Sequence, residues 1–218
     1  MPRRFDLIAF DWDGTLFDST GLIVRCIQNA CRDVGANVPS HEQAAYVIGL
    51  GLRDALLHAA PGFPEERYAE LGQAYRRHYV ASQHEVVLFP GTLDMLRALK
   101  ANNHLLAVAT GKSRRGLDDA VGTTALHGLF DATRTADETQ GKPHPLMLLE
   151  LMAQLGTSAG SCLMIGDTTH DLQMAANAGV SAVAVSFGAH DPETFAAYQP
   201  LYVAHSMAEL HAWLAEHG

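Results

Sequence analysis

The sequence predicts an α/β protein with a doubly wound, mostly parallel sheet and an inserted all-helical segment. Two observations predict this class. From residue 88 onward, short apolar runs alternate with helical patterns, whereas no strand-like run occurs between Phe17 and Glu85. Repeated strand–helix alternation favours a parallel sheet that is covered by helices on both faces. We therefore expect residues 1–17 and 88–218 to form the sheet-containing unit and residues 18–87 to form a helical unit.

The first predicted strand lies in the apolar run Phe5–Phe10, and the helical segment follows it. Ser19 or Thr20 can cap a first helix, whose apolar positions recur three and four apart as far as Ala30. Glycines and prolines at 35–39, 49–51 and 61–64 interrupt the pattern. Further helices are predicted near Glu42–Ile48, over Arg53–Leu57 and over Glu65–Ala81.

Strands and helices alternate in the remainder of the chain. The strands are predicted at Leu105–Ala109, near Asp131–Thr135, at Cys162–Ile165, at Val180–Ser186 and at Tyr202–Val203. The helices are predicted over Thr92–Ala101, from Ser113 to about Val121, from Pro145 to Leu155, from near Asp171, and over Met207–Glu216. Open sheets of this type bind ligands at the carboxyl ends of their strands. Asp11, Thr110 and Asp167 each follow or end an apolar run, so we expect them to meet in one crevice.

Charge and cysteine content narrow the classes of function. A formal net charge of -9, without a dense basic stripe, argues against a nucleic-acid partner. No apolar run approaches the ~18 residues that a membrane-spanning helix needs, and Asp6 and Asp11 interrupt any leader-like segment. Three cysteines do not suggest a disulfide framework, which is consistent with a reducing cytoplasm.

The run Asp11-Trp12-Asp13-Gly14 suggests chemistry at the end of the first strand. Gly14 predicts a tight turn, which would place both carboxylates around the carboxyl end of that strand. Two such charges repel unless a cation lies between them or one holds a proton. An ionised Asp11 could attack a phosphoryl group while a protonated Asp13 donates to the leaving oxygen. For this motif alone, an ordinary Asp-Gly turn with solvated acids remains an equal alternative.

Four motifs in order favour the first interpretation. They are Asp11-Trp12-Asp13-Gly14-Thr15, Thr110-Gly111, Gly141-Lys142-Pro143-His144-Pro145, and Gly166-Asp167-Thr168-Thr169-His170-Asp171 with Ala175–Gly179 after it. With them, nearly the whole chain resembles the haloacid dehalogenase-like phosphohydrolases that carry a helical cap, and especially phosphoglycolate phosphatases. The resemblance implies a Rossmann-like core with the cap inserted after the first strand. It also implies a small phosphorylated metabolite as the substrate.

The resemblance assigns roles to individual residues. Asp11 would be the nucleophile that forms an aspartyl-phosphate, and Asp13 the general acid and then the general base. Mg²⁺ would be held by Asp11, by the backbone carbonyl of Asp13 and by Asp167, with Asp171 on a metal-bound water. Asp171 is also suited to be a simple helix N-cap, and both roles are compatible.

Phosphate binding would involve a second group of residues. The Thr110 hydroxyl and the backbone N–H groups of Trp12, Asp13 and Gly111 would bind phosphate oxygens. Lys142 would neutralise charge on the phosphate and on Asp11, although a lone Lys before Pro is by default a solvated loop residue. Histidines near these motifs, His144 and His170, are expected to be exposed.

Substrate selection would belong to the cap. Gly49–Arg53 is similar to the specificity loop of capped relatives, and Arg53 could bind an anionic group of the substrate, or be an exposed helix residue. Lys112 could meet the same group. Related phosphoglycolate phosphatases often have Asn where this chain has Gly111, which leaves the exact substrate open.

The predicted function is Mg²⁺-dependent hydrolysis of a phosphomonoester, with 2-phosphoglycolate as the first candidate substrate. A phosphosugar mutase or a pyrophosphatase would share the core residues. A dehalogenase would have no ester oxygen to protonate, so Asp13 argues against it. A receiver module of two-component signalling uses similar residues but is little more than half this length and has no helical insertion.

Overall fold

The computed structural model describes residues 4–122 and 125–218, and it confirms the α/β class. Its strands are β1 (Leu7–Phe10), β2 (Phe17–Asp18), β3 (Val87–Leu88), β4 (Leu105–Thr110), β5 (Ala132–Thr135), β6 (Cys162–Gly166), β7 (Ser181–Val185) and β8 (Tyr202–Ala204). Six of them form one parallel sheet in the order β5-β4-β1-β6-β7-β8. Strand β1 lies between β4 and β6, which is the point where the strand order reverses.

The described helices surround this sheet or lie in the insertion. They are α1 (Thr20–Val34), α2 (His41–Tyr46), α3 (Leu52–Ala59), α4 (Tyr68–Ser82), α5 (Thr92–Ala101), α6 (Arg114–Gly122), α7 (Leu146–Leu155), α8 (Thr169–Asn177) and α9 (Met207–His217). The predicted helices therefore agree with the structure to within a few residues at each end. The main shift is in α8, which begins two residues before Asp171 because Thr168 caps it.

Alternate residues of the strands point to opposite faces of the sheet, and both faces are buried. Ile8 and Phe10 of β1 belong to one hydrophobic cluster, with residues from helices α5, α6 and α9. Leu7 and Ala9 belong to a second cluster, with residues of α7 and α8. Burial on both faces explains why these strands appear in the sequence as continuous apolar runs rather than alternating ones.

The helical insertion has a hydrophobic cluster of its own. All of the buried members of that cluster lie between Ile23 and Ala74, in helices α1–α4 and the loops between them. The strand pair β2–β3, which the sequence analysis did not predict, joins the segments that leave and re-enter the sheet. The predicted boundaries at 17/18 and 87/88 fall on this short antiparallel pair.

Two further findings concern the cysteines and the helices. Cys26, Cys31 and Cys162 are free and buried. In the part of the chain that the structure describes, no helix is both long enough and apolar enough to cross a membrane.

Candidate active site

Three buried aspartates meet at the carboxyl ends of the central strands. Asp11 follows β1, Asp167 follows β6, and Asp171 lies in the first turn of α8. One carboxylate oxygen from each lies within 4.8 Å of the other two. Asp11 and Asp167 thus converge as expected, because β1 and β6 are hydrogen-bonded neighbours that run in the same direction.

Gly14 permits this close approach. Its φ angle is +82°, a conformation that residues with a side chain rarely adopt. A Cβ at this position would also lie 2.8 Å from the carboxyl carbon of Asp167 and would collide with one of its oxygens. The tight turn after β1 therefore requires glycine for two independent reasons.

Lys142 bridges two of the three carboxylates. Its Nζ lies 2.6 Å from Oδ1 of Asp11 and 2.6 Å from Oδ1 of Asp171, and the three side chains are at most 1% exposed. The remaining oxygen of Asp11, Oδ2, is buried without a hydrogen-bond partner in the described protein. The geometry thus places an ammonium group on one side of the Asp11 carboxylate and leaves the other side free.

Neighbouring hydroxyl and amide groups hold the other two aspartates. Asp167 accepts hydrogen bonds from the Thr15 hydroxyl at 2.8 Å and from the Ala189 N–H at 2.7 Å. Asp171 Oδ2 accepts from the Thr168 hydroxyl and N–H, at 2.6 Å and 3.1 Å. The expectation that Asp171 is the N-cap was wrong, because Thr168 is the N-cap and Asp171 is its capping-box partner in the first turn.

The cluster is electrostatically unfavourable without a cation. Burial, together with the Asp171 and Asp167 charges, raises the pKa of Asp11 well above its ordinary value, although Lys142 opposes the shift. Burial and the Asp171 charge likewise raise the pKa of Asp167 to about 7. Burial alone would lower the pKa of Lys142, but Asp11 and Asp171 outweigh it and the pKa is raised, so this side chain stays cationic.

These residues fit a divalent cation of the Mg²⁺ type. One ammonium faces three carboxyl groups, and Asp11 Oδ2 is a buried carboxyl oxygen without a hydrogen-bond partner among the described residues. Hard oxygen donors of this kind are the ligands that Mg²⁺ prefers. The Asp13 carboxylate is not part of the cluster, which leaves its backbone carbonyl as the group predicted to bind metal.

Asp13 instead has partners of its own. Its Oδ2 lies 2.9 Å from Lys112 Nζ, and its Oδ1 accepts a hydrogen bond from the Ser19 hydroxyl at 2.8 Å. Ser19 is the N-cap residue of α1 by position, but its side chain makes no capping hydrogen bond. Sequence reasoning assigned Ser19 only to capping, since an N-cap pattern carries no information about a partner six residues earlier.

The predicted phosphate-binding residues lie around the same strand ends. Thr110 is the buried last residue of β4, and its hydroxyl accepts the Lys112 N–H at 3.2 Å. Gly111 follows it directly. The Trp12 side chain is buried and stacks on Phe17 with 4.7 Å between ring centroids, which leaves only its backbone for a ligand.

The helical insertion approaches the sheet unit closely at Gly111. A Cβ at this position would lie 2.6 Å from the Gly49 carbonyl oxygen and would collide with that of Leu50. The loop 49–51 thus occupies the space that an asparagine side chain would need. Arg53, four residues after Gly49, is exposed and pairs with Glu65 at 3.5 Å, so in this conformation it does not join the carboxylate cluster.

Two histidines of the sheet unit contact the helical insertion at Tyr46. His170 Nε2 and His190 Nε2 lie 2.8 Å and 2.9 Å from the Tyr46 carbonyl oxygen, and the Tyr46 ring stacks on His190. Burial lowers the pKa of both imidazoles. The expectation that His170 is exposed was wrong, because α2 covers it; His144 is exposed as expected.

Comparison with known proteins agrees with this architecture. Residues 8–185 match the model of the family described as haloacid dehalogenase-like hydrolase. The crystal structure of a haloacid dehalogenase-like hydrolase from Bacteroides fragilis superposes with a TM-score of 0.87 and 25% identity, covering 94% of this chain and 99% of that one.

Three curated relatives cover almost the full length. "Probable phosphatase IndB" from Dickeya dadantii is 36% identical over 94% of this chain and 91% of its own. A phosphoglycolate phosphatase from Aliivibrio fischeri is 32% identical over 99% of both chains. A 5'-nucleotidase from Pseudomonas aeruginosa is 31% identical over 98% of this chain and 97% of its own. Relatives with different named substrates are thus about equally similar.

Proposed function

This chain belongs to the haloacid dehalogenase-like hydrolase family, and from that premise we propose that it is a Mg²⁺-dependent phosphomonoester hydrolase that works through an aspartyl-phosphate on Asp11. The observation that carries the proposal is the buried Asp11 carboxylate, which has Lys142 on Oδ1 and no partner on Oδ2. Oδ1 is therefore held by the ammonium, whereas Oδ2 has no hydrogen-bond partner in the described protein and is left for the ion or the phosphoryl group. A receiver module has no support, since the family match over residues 8–185 includes the whole helical insertion.

In the first step of the proposed reaction, a carboxylate oxygen of Asp11 attacks phosphorus and the ester bond breaks. The leaving oxygen takes a proton from Asp13, which enters this step as the neutral carboxylic acid. In the second step water attacks the phosphoryl group, Asp13 accepts the proton of that water, and Asp11 is released as a carboxylate. Ser19 and Lys112 hold the two oxygens of Asp13 and so fix the position of this acid and base.

Residues around the strand ends would bind the phosphoryl oxygens. We assign this role to the Thr110 hydroxyl, to the backbone N–H groups of Trp12, Asp13 and Gly111, and to the Lys142 ammonium. Asp11, the Asp13 carbonyl, Asp167 and Asp171 would hold Mg²⁺. When bound, this ion supplies positive charge to a group that carries negative charge throughout the transfer.

We assign residues 1–17 and 88–218 to the catalytic unit and residues 18–87 to a cap.

Arg53 and Lys112 are the proposed specificity residues, and 2-phosphoglycolate is the first candidate substrate. The full-length match to a phosphoglycolate phosphatase supports that choice, whereas the similar match to a 5'-nucleotidase calls for a direct comparison of substrates. A cytoplasmic location fits three unpaired cysteines.

Hydrolysis of an aryl phosphate by the wild-type protein and by Asp11→Asn tests the proposal. We expect phosphate release with Mg²⁺, none after chelation, and a loss of roughly 10⁴-fold or more in the variant, because the nucleophile is gone. Mass spectrometry of acid-quenched wild-type enzyme should find a phosphoryl group on the peptide that contains Asp11. Near wild-type turnover by Asp11→Asn would contradict the nucleophile assignment. Sugar-phosphate isomerisation without phosphate release would indicate a mutase.

A further inference from the structure

Tyr79 reaches the catalytic unit from the helical insertion. It lies near the end of α4, and its hydroxyl oxygen accepts a hydrogen bond from Lys112 Nζ at 3.0 Å. We propose that Tyr79 and Lys112 together bind a second anionic group, a carboxylate or a phosphate, on the leaving part of the substrate. This inference rests on the proposed function and names the class of ester that the same site selects.

The position of the pair relates it to the leaving group. Lys112 Nζ lies 2.9 Å from Oδ2 of Asp13, the proposed acid that faces the leaving oxygen. A group bound by Lys112 is therefore attached within a few bonds of the ester oxygen. The Lys142 ammonium, by contrast, lies on the Asp11 side and is fully buried between two carboxylates, so it belongs to the transferred phosphoryl group.

Hydrogen-bond capacity remains on both members of the pair. Two of the three Lys112 N–H groups are accounted for by Asp13 and Tyr79, and within residues 4–122 and 125–218 the third has no acceptor. Because the Tyr79 oxygen accepts from Lys112, its own O–H is left to donate. An ammonium N–H and a phenol O–H side by side suit two oxygens of one anionic group.

Charge and packing support the same conclusion. The Lys112 ammonium lies 2.9 Å from the Asp13 carboxylate and its side chain is 11% exposed, so positive charge is held beside the proposed acid. Tyr75 stacks on the Tyr79 ring at 6.0 Å between centroids, and the Lys112 ammonium lies 4.9 Å from the centroid of the Tyr79 ring. The stacking on Tyr75 thus orients the Tyr79 ring by a contact that does not involve its hydroxyl.

A matched pair of substrates tests the inference. Ethyl phosphate differs from 2-phosphoglycolate in having a methyl group where the carboxylate stands. With Mg²⁺ present, we expect the wild-type protein to prefer 2-phosphoglycolate by about 100-fold in kcat/KM, since hydrogen bonds to charged groups are individually worth roughly tenfold or more. Inorganic pyrophosphate, measured in parallel, shows whether a phosphate serves as the second anion in place of the carboxylate.

The variant Tyr79→Phe keeps the ring and removes only the hydroxyl. We expect it to lower kcat/KM for 2-phosphoglycolate about tenfold, mainly through KM, and to change ethyl phosphate less than about twofold. In Lys112→Met, we expect similar kcat/KM values for 2-phosphoglycolate and ethyl phosphate. Tyr202→Phe is the control, because Tyr202 lies on β8 at the sheet edge, where it stacks on Trp213, and should behave as wild type.

Each result decides the inference. If Tyr79→Phe lowers kcat/KM equally for both esters or for neither, the assigned role of Tyr79 is wrong while the phosphatase proposal stands. The same holds if the wild-type protein prefers ethyl phosphate. If the wild-type protein hydrolyses no phosphomonoester at all, the proposed function fails as well. If Lys112→Met still preferred 2-phosphoglycolate to ethyl phosphate, the proposed binding of the carboxylate by the Lys112 ammonium would be wrong.

Discussion

Lys142 and Lys112 each pair with one of the two aspartates that follow β1, but their surroundings differ. Lys142 pairs with Asp11 and Asp171, its side chain is fully buried, and both of these partners belong to the sheet unit. The Lys112 side chain is 11% exposed, and it shares its ammonium between Asp13 and Tyr79 of the helical insertion. The first pair is complete within the sheet unit, whereas the second depends on the packing of two units.

This difference separates two tasks. The group that is transferred is the same in every phosphomonoester, so its binding residues can be buried and rigid. The leaving part differs between substrates, and in our proposal its binding residues come partly from the insertion, which brings Tyr79 and the loop 49–51 against the sheet unit. We therefore expect changes on the Lys142 side to affect all substrates, and changes on the Lys112 side to affect some of them.

The largest effect is expected from Lys142→Met. Removing the ammonium leaves Asp11 and Asp171 buried without their counter-charge, so kcat/KM should fall by about 10³-fold for aryl phosphate and 2-phosphoglycolate alike. Steady-state kinetics with both substrates measure this, with circular dichroism to verify folding. If Lys142→Met discriminated between the two substrates, the contrast between the lysines would be wrong.

A second prediction concerns Mg²⁺ and pH. In the ion-free protein the pKa values of Asp11 and Asp167 are raised, so the folded state binds protons more tightly than the unfolded state. This stabilising contribution is complete below the ordinary carboxyl pKa of 3.8 and is lost as the pH rises through about 7. The ion-free Tm should thus fall between about pH 5 and pH 8.

Mg²⁺ should reverse this loss, because it replaces the protons at the same oxygens. The stabilisation by Mg²⁺ should be larger at pH 8 than at pH 5. Saturating ion should add several degrees to Tm, because binding stabilises the folded state by ~2–3 kcal/mol and each kcal/mol raises Tm by about 2–4 °C. Thermal unfolding with and without the ion measures this, and Asp167→Asn should abolish the shift. An equal Mg²⁺ effect at both pH values would contradict the assignment of these acids.

Gly111→Ala should have a smaller effect, confined to the contact between the two units. The added Cβ would lie 2.6 Å from the Gly49 carbonyl oxygen, so loop 49–51 must move away. We expect kcat/KM to fall about tenfold, with little change in Tm, because the insertion can shift as a body. Gly160→Ala is the control, since a Cβ there meets nothing within 4 Å. Full activity of Gly111→Ala would show that the close contact between loop 49–51 and Gly111 is unimportant for turnover.

The smallest effect is expected from Arg53→Ala. Arg53 makes only an exposed ion pair with Glu65, and pairs of this kind contribute at most about 1 kcal/mol. We expect Tm to be unchanged and 2-phosphoglycolate turnover to fall less than about fivefold, more than that of an aryl phosphate. A loss larger than that of Tyr79→Phe would make Arg53, rather than Tyr79, the main cap residue for substrate.

The strands of the six-stranded sheet, the helical insertion and the clustered aspartates were predictable because their patterns are local. Apolar runs of four to six residues mark β1, β4 and β6, and the acids stand immediately after two of these runs. Parallel neighbours bring such positions together without further information. Thr168 shows the limit of this reasoning, since it precedes a recognised acid by three residues and was still not predicted to cap α8.

The sequence by itself determined the class of fold and the acidic centre, because apolar runs and the individual motifs are short, local patterns. Only the tertiary structure decided which groups surround Asp13 and what holds the insertion in place. Lys112 meets Tyr79 across 33 positions, and His190 meets the Tyr46 carbonyl across 144. Such contacts depend on how two separately packed units dock, and no local pattern of residues encodes that geometry.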